Sequence, residues 1–236
     1  MSEALLATIP GLIATLIVIL IVVLIIKRKV EDNKLMNTVT DRTRGTRAER
    51  RLVVSLLREG IPADDIYHDL YLEYRPGYYS QIDVVAIVPA GIIVFEEKDY
   101  SGWIFGKGWQ KQWTQVLNYG KEKNHFYNPV KQNESHINRL KTAICDNNGR
   151  CPRIFSFIIF HGNCEFRDVS EIPADTIVAY AHHLGRYLRQ MEAMPAADYG
   201  NLDSIRRTLR QAARNGQDSS VIAKHLQNVE RWKSSH

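Results

Sequence analysis

The stretch that decides the fold runs from residue 81 to residue 98 and reads QIDVVAIVPAGIIVFEEK. It contains two apolar runs, each about as long as a β-strand, separated by the turn Pro89-Ala90-Gly91. Proline and glycine at such a position reverse the chain, so the sequence predicts an antiparallel hairpin.

The charged residues of this hairpin cluster at its open end. Side chains alternate between the two faces of a strand. We therefore expect Gln81 and Asp83 on one face of the first strand, Ile82 and Val84 on the other, Glu96 and Lys98 together on the second strand, and Glu97 opposite them. If the strands pair as predicted, Asp83, Glu96 and Lys98 converge where they end.

Two carboxylates and an amine at strand ends suit phosphoryl chemistry. Magnesium takes oxygen ligands and keeps several waters, so one or two carboxylates and a substrate phosphate are enough to hold it. A lysine beside the metal can orient the attacking oxygen or stabilise developing negative charge. Spacing alone leaves a second interpretation open, in which the charged strand end is a solvated edge.

The rest of the chain predicts an α/β domain. Helical periodicity around Leu52 to Leu57 ends at Gly60, and a second helix is expected from Pro129 to about Cys145. Strand patterns are expected in five further places: Ile66 to Tyr74, Gly102 to Gly106, Trp109 to Val116, Arg153 to Phe160 and Thr176 to Tyr180. A helix is expected from Leu184 to Met191, and the last 40 or so residues are expected to form a basic helical tail.

The N-terminal segment predicts a membrane anchor. Residues 4–26 carry no charge and would span roughly 35 Å as a helix, enough to cross a bilayer. Glu3 precedes this run and Lys27, Arg28 and Lys29 follow it, which favours a single-pass anchor over a cleaved signal peptide. The same charges predict an N-terminus outside the inner or plasma membrane and a cytoplasmic domain. Small residues from Gly11 to Ala14 leave self-association open.

The amino-acid composition is consistent with a membrane anchor followed by a folded domain. The 236 residues include 31 basic and 26 acidic side chains, a net charge of +5, and 44% are hydrophobic, which excludes a disordered chain and a polytopic transporter. Residues 27–46 are polar and basic and are interpreted as a linker near anionic headgroups. The three cysteines form an odd set, so a disulfide is not expected in a reducing compartment.

The hairpin residues resemble a known family. Gln81-Ile-Asp83 followed by Gly91-Ile-Ile-Val-Phe-Glu96-Glu-Lys98-Asp-Tyr100-Ser-Gly102 is similar to the core of the nuclease-related domain (NERD) family. Gly45-Thr-Arg-Ala-Glu49 and Asn128-Pro129-Val-Lys-Gln132 resemble two further pieces of its pattern, in the right order. The resemblance covers residues 45–160.

The resemblance implies a restriction-endonuclease-like mixed sheet flanked by helices, of the PD-(D/E)xK nuclease superfamily. Together with the apolar and basic segments described above, it divides the chain into an anchor at residues 1–30, a linker at 31–44, the nuclease-like domain at 45–192 and the helical tail at 193–236. It also implies site roles. Asp83 and Glu96 would be ligands of Mg²⁺ or Mn²⁺, with Glu97 contributing its backbone carbonyl. Lys98 would be the catalytic lysine and Glu49 the helix acid. Gln81 and Gln132 would be amides that belong to the active site or position the substrate.

These features together predict a membrane-anchored, metal-dependent nuclease that hydrolyses phosphodiester bonds of DNA. The alternative is a non-catalytic module of the same fold that binds nucleic acid or a protein. Trp103 and Lys107 belong to a mixture of aromatic and basic residues that suits base stacking and backbone contacts, although aromatic residues are common in strand cores. His136 shares a helix face with Gln132 and is interpreted as a helix-surface histidine.

Overall fold

A computed structural model describes residues 3–41, 43–146 and 149–234. The helices are α1 (Glu3–Met36), α2 (Arg47–Arg58), α3 (Pro129–Ile144), α4 (Leu184–Glu192), α5 (Leu202–Asn215) and α6 (Ser219–Ser234). The strands are β1 (Ile66–Arg75), β2 (Tyr78–Val88), β3 (Gly91–Asp99), β4 (Gly102–Lys107), β5 (Gln112–Leu117), β6 (Glu122–Tyr127), β7 (Ile154–His161), β8 (Cys164–Ser170) and β9 (Thr176–Tyr180). The predicted α/β class is confirmed.

The strands form two mixed sheets. The five-stranded central sheet has the order β1-β2-β3-β7-β9, in which the first three strands are antiparallel and the last three are parallel. The four-stranded second sheet has the order β6-β5-β4-β8. Strands β6 and β8 carry few apolar residues, and the hydrophobic pattern does not predict them.

The predicted hairpin is the centre of the first sheet. Val88 pairs with Gly91 and Val84 with Phe95, which is the expected antiparallel register. Gly91 has a φ of +150°, and a Cβ at this position would meet the backbone carbonyl of Arg153 at the start of β7. Glycine is required here because the turn and the neighbouring strand approach each other closely.

The strict alternation expected for the first strand is wrong at one point. Val84 packs on one side of the central sheet, but Ile82, two residues away, packs on the other. The cause lies in the neighbouring strand, where Asp69 has a φ of +53° between the pairs His68–Val84 and Leu70–Ile82. A residue in the left-handed region breaks the regular pleat, so both strands change face there.

Helices cover both faces of the central sheet. On one face α2 and α4 bury residues such as Leu52, Leu56 and Leu188 against β2, β3 and β7. On the other face α3 and α5 bury residues such as Leu140 and Leu209. The C-terminal region predicted as a basic tail is therefore partly core, since α5 completes this second layer.

The N-terminal helix is continuous with the domain. Part of α1, Gly11–Met36, is long and apolar enough to cross a membrane, a property that a signal sequence shares, and its apolar side chains from Leu12 to Val30 are exposed. The helix does not stop at the predicted linker: it continues to Met36, which is buried in the core beneath α2. Asp32 also pairs with Arg58 at the end of α2, at 2.5 Å.

Replacing Met36 with alanine is expected to destabilise the whole domain by about 2 kcal/mol, because a buried methionine leaves a cavity when truncated. Thermal unfolding of the detergent-solubilised full chain would measure this. Ile26→Ala serves as the matched control, since Ile26 is 57% exposed. An equal effect of the two substitutions would contradict the packing of α1 into the core.

One expectation about the cysteines is wrong. Cys145 and Cys151 form a disulfide, and of the described cysteines Cys164 is free. The bond closes a short loop at the end of α3, and reasoning from the cellular compartment does not reveal such a local pairing. Asn147 and Asn148, between the two cysteines in the sequence, lie outside the described residues.

Candidate active site

Asp83 lies where the two strands of the hairpin separate. The last pair of the β2–β3 ladder on this side is Val84–Phe95, so the chain at Asp83 is free to turn its side chain toward β3. Its Oδ2 accepts a hydrogen bond of 2.8 Å from the backbone N–H of Glu97. The carboxylate is therefore held against the end of β3.

Glu96 and Lys98 meet on one face of β3, as the alternation predicts. The Glu96 side chain is buried, and the Lys98 ammonium donates a hydrogen bond to it. Lys98 Nζ also lies 3.4 Å from Oε1 of Gln132 on α3. The structure thus brings three of the predicted residues, Glu96, Lys98 and Gln132, into direct contact.

His136 is buried beside the site and is not the surface histidine that the sequence suggests. Its Nε2 lies 3.5 Å from Oε2 of Glu96, and its Nδ1 lies 2.9 Å from the hydroxyl of Ser80. Arg139 donates to the same hydroxyl at 2.9 Å. These contacts fix the orientation of the His136 ring between Ser80 and Glu96. The spacing of Gln132 and His136, one helical turn apart, is the signal that could have identified it.

Glu49 approaches from the opposite side on α2. Thr46 caps this helix by accepting a hydrogen bond from the Glu49 backbone N–H at 3.1 Å. The Glu49 carboxylate is buried, and its Oε2 lies 3.3 Å from Nε2 of His68 on β1, without the alignment of a hydrogen bond. His68 therefore positions the acid that the sequence predicts in this helix.

Gly45 lies directly against the side chains of Glu49 and His68. Its φ is +61°, and a Cβ would meet both Glu49 Oε2 and His68 Nε2. The glycine at the start of the predicted motif is required for two reasons, its left-handed backbone and the close approach of the two side chains.

Gly45→Ala is expected to destabilise the domain by more than the 1–2 kcal/mol that a left-handed alanine costs, because the methyl group also displaces Glu49. Gly60→Ala is the matched control, since Gly60 has a φ of +90° and open space where its Cβ would lie. Denaturant unfolding of both variants would separate the two effects. Equal losses of stability would show that the Glu49–His68 contact is not crowded.

The start of α3 is fixed by Asn128. Its side-chain carbonyl accepts from Val130 N at 2.9 Å, which caps the helix. Its side-chain amide donates to three backbone carbonyls of the β4–β5 connection, those of Lys107, Gly108 and Gln110, at 3.2, 2.9 and 2.7 Å. Further along α3, buried Asn133 donates to the Val94 carbonyl at 2.9 Å. These amides set where Gln132 and His136 stand relative to β3.

The charges of the site are strongly coupled. Burial, together with the negative charges of Glu96 and Glu49, raises the pKa of Asp83 well above its ordinary value. Burial opposes ionisation of Glu96 as well, but Lys98 and His136 outweigh it and lower the pKa of Glu96. Burial would lower the pKa of Lys98, yet the charges of Glu96 and Asp83 raise it. The lysine is therefore protonated at neutral pH.

The donor set fits a hard divalent cation. Oε2 of Glu96 and Oε2 of Glu49 are buried and have no hydrogen-bond partner, and burial together with the charges of these two acids raises the pKa of Asp83. Within the described ranges, no three or more His, Cys, Asp and Glu side chains are arranged as a complete metal cage. Magnesium needs no such cage, because it retains waters and binds through one or two carboxylates and substrate phosphates.

Four predicted residues have other described partners. Gln81 donates to Asp69 Oδ1 at 3.2 Å, and the Glu97 side chain lies 3.1 Å from His161 Nδ1 on the face opposite Glu96. Lys107 pairs with Glu171 at 2.6 Å, while the Trp103 ring lies under the Arg167 guanidinium at 4.7 Å. Trp103 and Lys107 are thus on the second sheet, without a described contact to the carboxylates, and their role in substrate binding stays a prediction.

Comparison with known proteins gives two matches. The family model of the nuclease-related domain (NERD) matches residues 44–161, half of the chain. A protein of Bacillus anthracis, described as uncharacterized, is 29% identical over 157 residues, which cover 66% of this chain and 69% of that protein. No solved structure matches the chain.

Proposed function

Because the chain belongs to the nuclease-related domain (NERD) family, we propose that it is a metal-dependent nuclease that hydrolyses phosphodiester bonds of DNA. The observation that carries the proposal is the meeting of Asp83, Glu96 and Lys98 at the open end of the β2–β3 hairpin, with Glu49 and Gln132 beside them. Two buried carboxylate oxygens, Oε2 of Glu96 and Oε2 of Glu49, accept no hydrogen bond and could therefore serve as ligands of a cation.

Asp83 and Glu96 would hold the Mg²⁺ or Mn²⁺ ion, with the backbone carbonyl of Glu97 as a further oxygen. When bound, such an ion lowers the pKa of a water and neutralises charge on the phosphate. Hydrolysis adds the oxygen of water to phosphorus and breaks one P–O bond, whose sugar oxygen leaves as a hydroxyl group.

Lys98 acts as a donor in this reaction. Since its raised pKa keeps it protonated, it is suited to stabilise negative charge that develops on the phosphate, and it is not suited to accept a proton from water. Glu96 and Gln132 orient the ammonium through the contacts described above. His136 keeps the Glu96 carboxylate ionised and correctly turned.

We also propose that α1 anchors the protein in the inner or plasma membrane with its N-terminus outside and the domain in the cytoplasm. The packing of Met36 into the core supports an anchor, because a cleaved signal sequence would not be continuous with a core helix. After Met36 the chain turns, and α2 runs back until Arg58 meets Asp32. Glu49 therefore lies at the end of α2 remote from the apolar segment, about 20 Å beyond Ile26. The site faces away from the bilayer.

The proposal is tested with the full chain in detergent, because removal of α1 would also remove Met36 from the core. Linear, circular and single-stranded DNA and RNA are incubated with Mg²⁺, with Mn²⁺ or with EDTA. We expect cleavage of DNA with either metal and none with EDTA. Binding of nucleic acid without cleavage under every metal condition would favour the non-catalytic alternative.

A further inference from the structure

The second sheet has one packed and one open face. Ile104, Trp113 and Phe126 point toward the core between the two sheets. Alternation then places the residues next to them on the outer face.

The outer residues are aligned in rows across the sheet by the strand register. One row consists of Trp103, Val116 and Lys123, and the next consists of Phe105, Thr114 and His125. Tyr127, 44% exposed, lies in the third row beside Gln112.

A cavity of about 340 Å³ opens at the first of these rows. Trp103 and Val116 line it from the sheet, Asn118 and Tyr119 from the β5–β6 turn, and Asn163 and Glu165 from the β7–β8 turn. Tyr119 is 95% exposed, although tyrosine carries a large apolar ring. The cavity therefore combines an indole wall, an exposed phenol ring and several polar groups that can donate or accept hydrogen bonds.

This combination matches the chemistry of an unpaired nucleobase. Single-stranded nucleic acids are recognised by stacking of bases on aromatic side chains and by hydrogen bonds to the base edges. In a duplex both the faces and the edges of the bases are occupied, so a paired base cannot enter such a cavity. The volume is within the range of small-ligand pockets.

The charges beside the cavity fit a phosphate backbone. Lys123 follows Val116 in the same row, and Lys121 precedes it at the turn. Neither lysine takes part in an ion pair with another residue in the part of the chain that the structure describes. The Arg167 guanidinium lies 4.7 Å from the centre of the Trp103 ring, and it does not line the cavity that Trp103 lines. Glu165 is paired with Arg167 at 3.1 Å, so its charge is largely offset.

The cavity is also close to the carboxylate site. Trp103 follows Lys98 by five residues, which limits their separation to about 17 Å. The side-chain amide of Gln115 donates to the Ser101 carbonyl at 2.9 Å and so holds the segment between β3 and β4 against β5. One strand of nucleic acid is therefore long enough to reach both Trp103 and Lys98.

We propose that the cavity between Trp103, Tyr119 and Glu165 binds an unpaired base of the nucleic-acid substrate, with Lys121 and Lys123 contacting its backbone. This inference rests on the proposed nuclease function and specifies its substrate as a strand with unpaired bases.

The test measures binding separately from cleavage. A short fluorescein-labelled DNA, single-stranded or as its duplex, is titrated with the full chain in EDTA, and anisotropy is recorded. We expect tighter binding of the single strand than of the duplex. Trp103→Ala should weaken single-strand binding roughly tenfold or more, and Tyr119→Ala and Lys123→Glu should weaken it as well, since a stacked base is worth about 1–3 kcal/mol.

Tyr78→Ala is the matched control, because Tyr78 is 46% exposed on the central sheet and its loss should leave binding unchanged. Tyr119 is so exposed that its substitution tests the cavity even if Trp103→Ala does not fold. Wild-type affinity in the Tyr119→Ala and Lys123→Glu variants, or equal binding of duplex and single strand, would overturn the inference while cleavage with Mg²⁺ remained. Conversely, Tyr119-dependent binding without cleavage would refute the nuclease proposal alone.

Discussion

Replacing Glu96 with glutamine is expected to lower the rate of metal-dependent cleavage at least a hundredfold, a loss of about 3 kcal/mol in transition-state stabilisation. Glutamine has nearly the same shape but no charge. It would weaken the metal site and also leave the Lys98 ammonium without the carboxylate that orients it. The effect should appear in the turnover rate measured at saturating substrate and metal.

Glu134→Gln provides the control for this substitution, because Glu134 is exposed on α3, near His136 in sequence but away from β3. Its cleavage rate should match the wild type. Thermal unfolding should show that both variants fold. If Glu96→Gln cleaves at the wild-type rate, Glu96 is not part of the catalytic site, whatever its contact with Lys98.

The second large effect is expected from Asn128→Ala, which should destabilise the domain by about 3–4 kcal/mol. The substitution removes a helix cap and leaves the backbone carbonyls of Gly108 and Gln110, which follow β4, without their side-chain donor, in a position where the asparagine side chain is fully buried. Since α3 carries Gln132 and His136, loss of the Asn128 hydrogen bonds should also reduce the cleavage rate at temperatures where the variant is still folded.

Asn128→Asp separates the two contributions, because aspartate can accept the hydrogen bond from Val130 but cannot donate to the carbonyls. We expect Asn128→Asp to lose less free energy of unfolding than Asn128→Ala, because it keeps the helix cap. The loss becomes larger than that of Asn128→Ala where repulsion between the carboxylate and these carbonyls outweighs the cap. Asn138→Ala, at an exposed position of the same helix, should change the free energy of unfolding little. Denaturant titration of the three variants measures these differences.

The central hairpin and the three residues at its open end could be predicted from the sequence, because the signals there are local. Two apolar runs, a proline-glycine turn and the alternation of side chains on β3 lead directly to Glu96 and Lys98 on one face. The glycine at position 45 and the proline that begins α3 are also visible in short motifs. For these parts the structure agrees with the sequence interpretation.

Other features depend on long-range contacts that no local pattern contains. The change of face between Ile82 and Val84 follows from the backbone of Asp69 on another strand. The burial of His136 depends on how α3 packs against β3, and the extension of α1 into the core depends on a contact between Met36 and α2. Strands β6 and β8 are held by their neighbours in the second sheet, with little apolar pattern of their own.

The central claim is that Lys98, with Asp83 and Glu96, forms a metal-dependent catalytic site. The most direct test compares cleavage of a labelled DNA by the full chain and by its Lys98→Ala variant, each with Mg²⁺ and with EDTA. We expect cleavage by the wild type with Mg²⁺, none with EDTA and none by the variant, although both proteins bind the DNA. Cleavage that persists in Lys98→Ala, or no cleavage by the wild type with Mg²⁺ or Mn²⁺, would contradict the central claim.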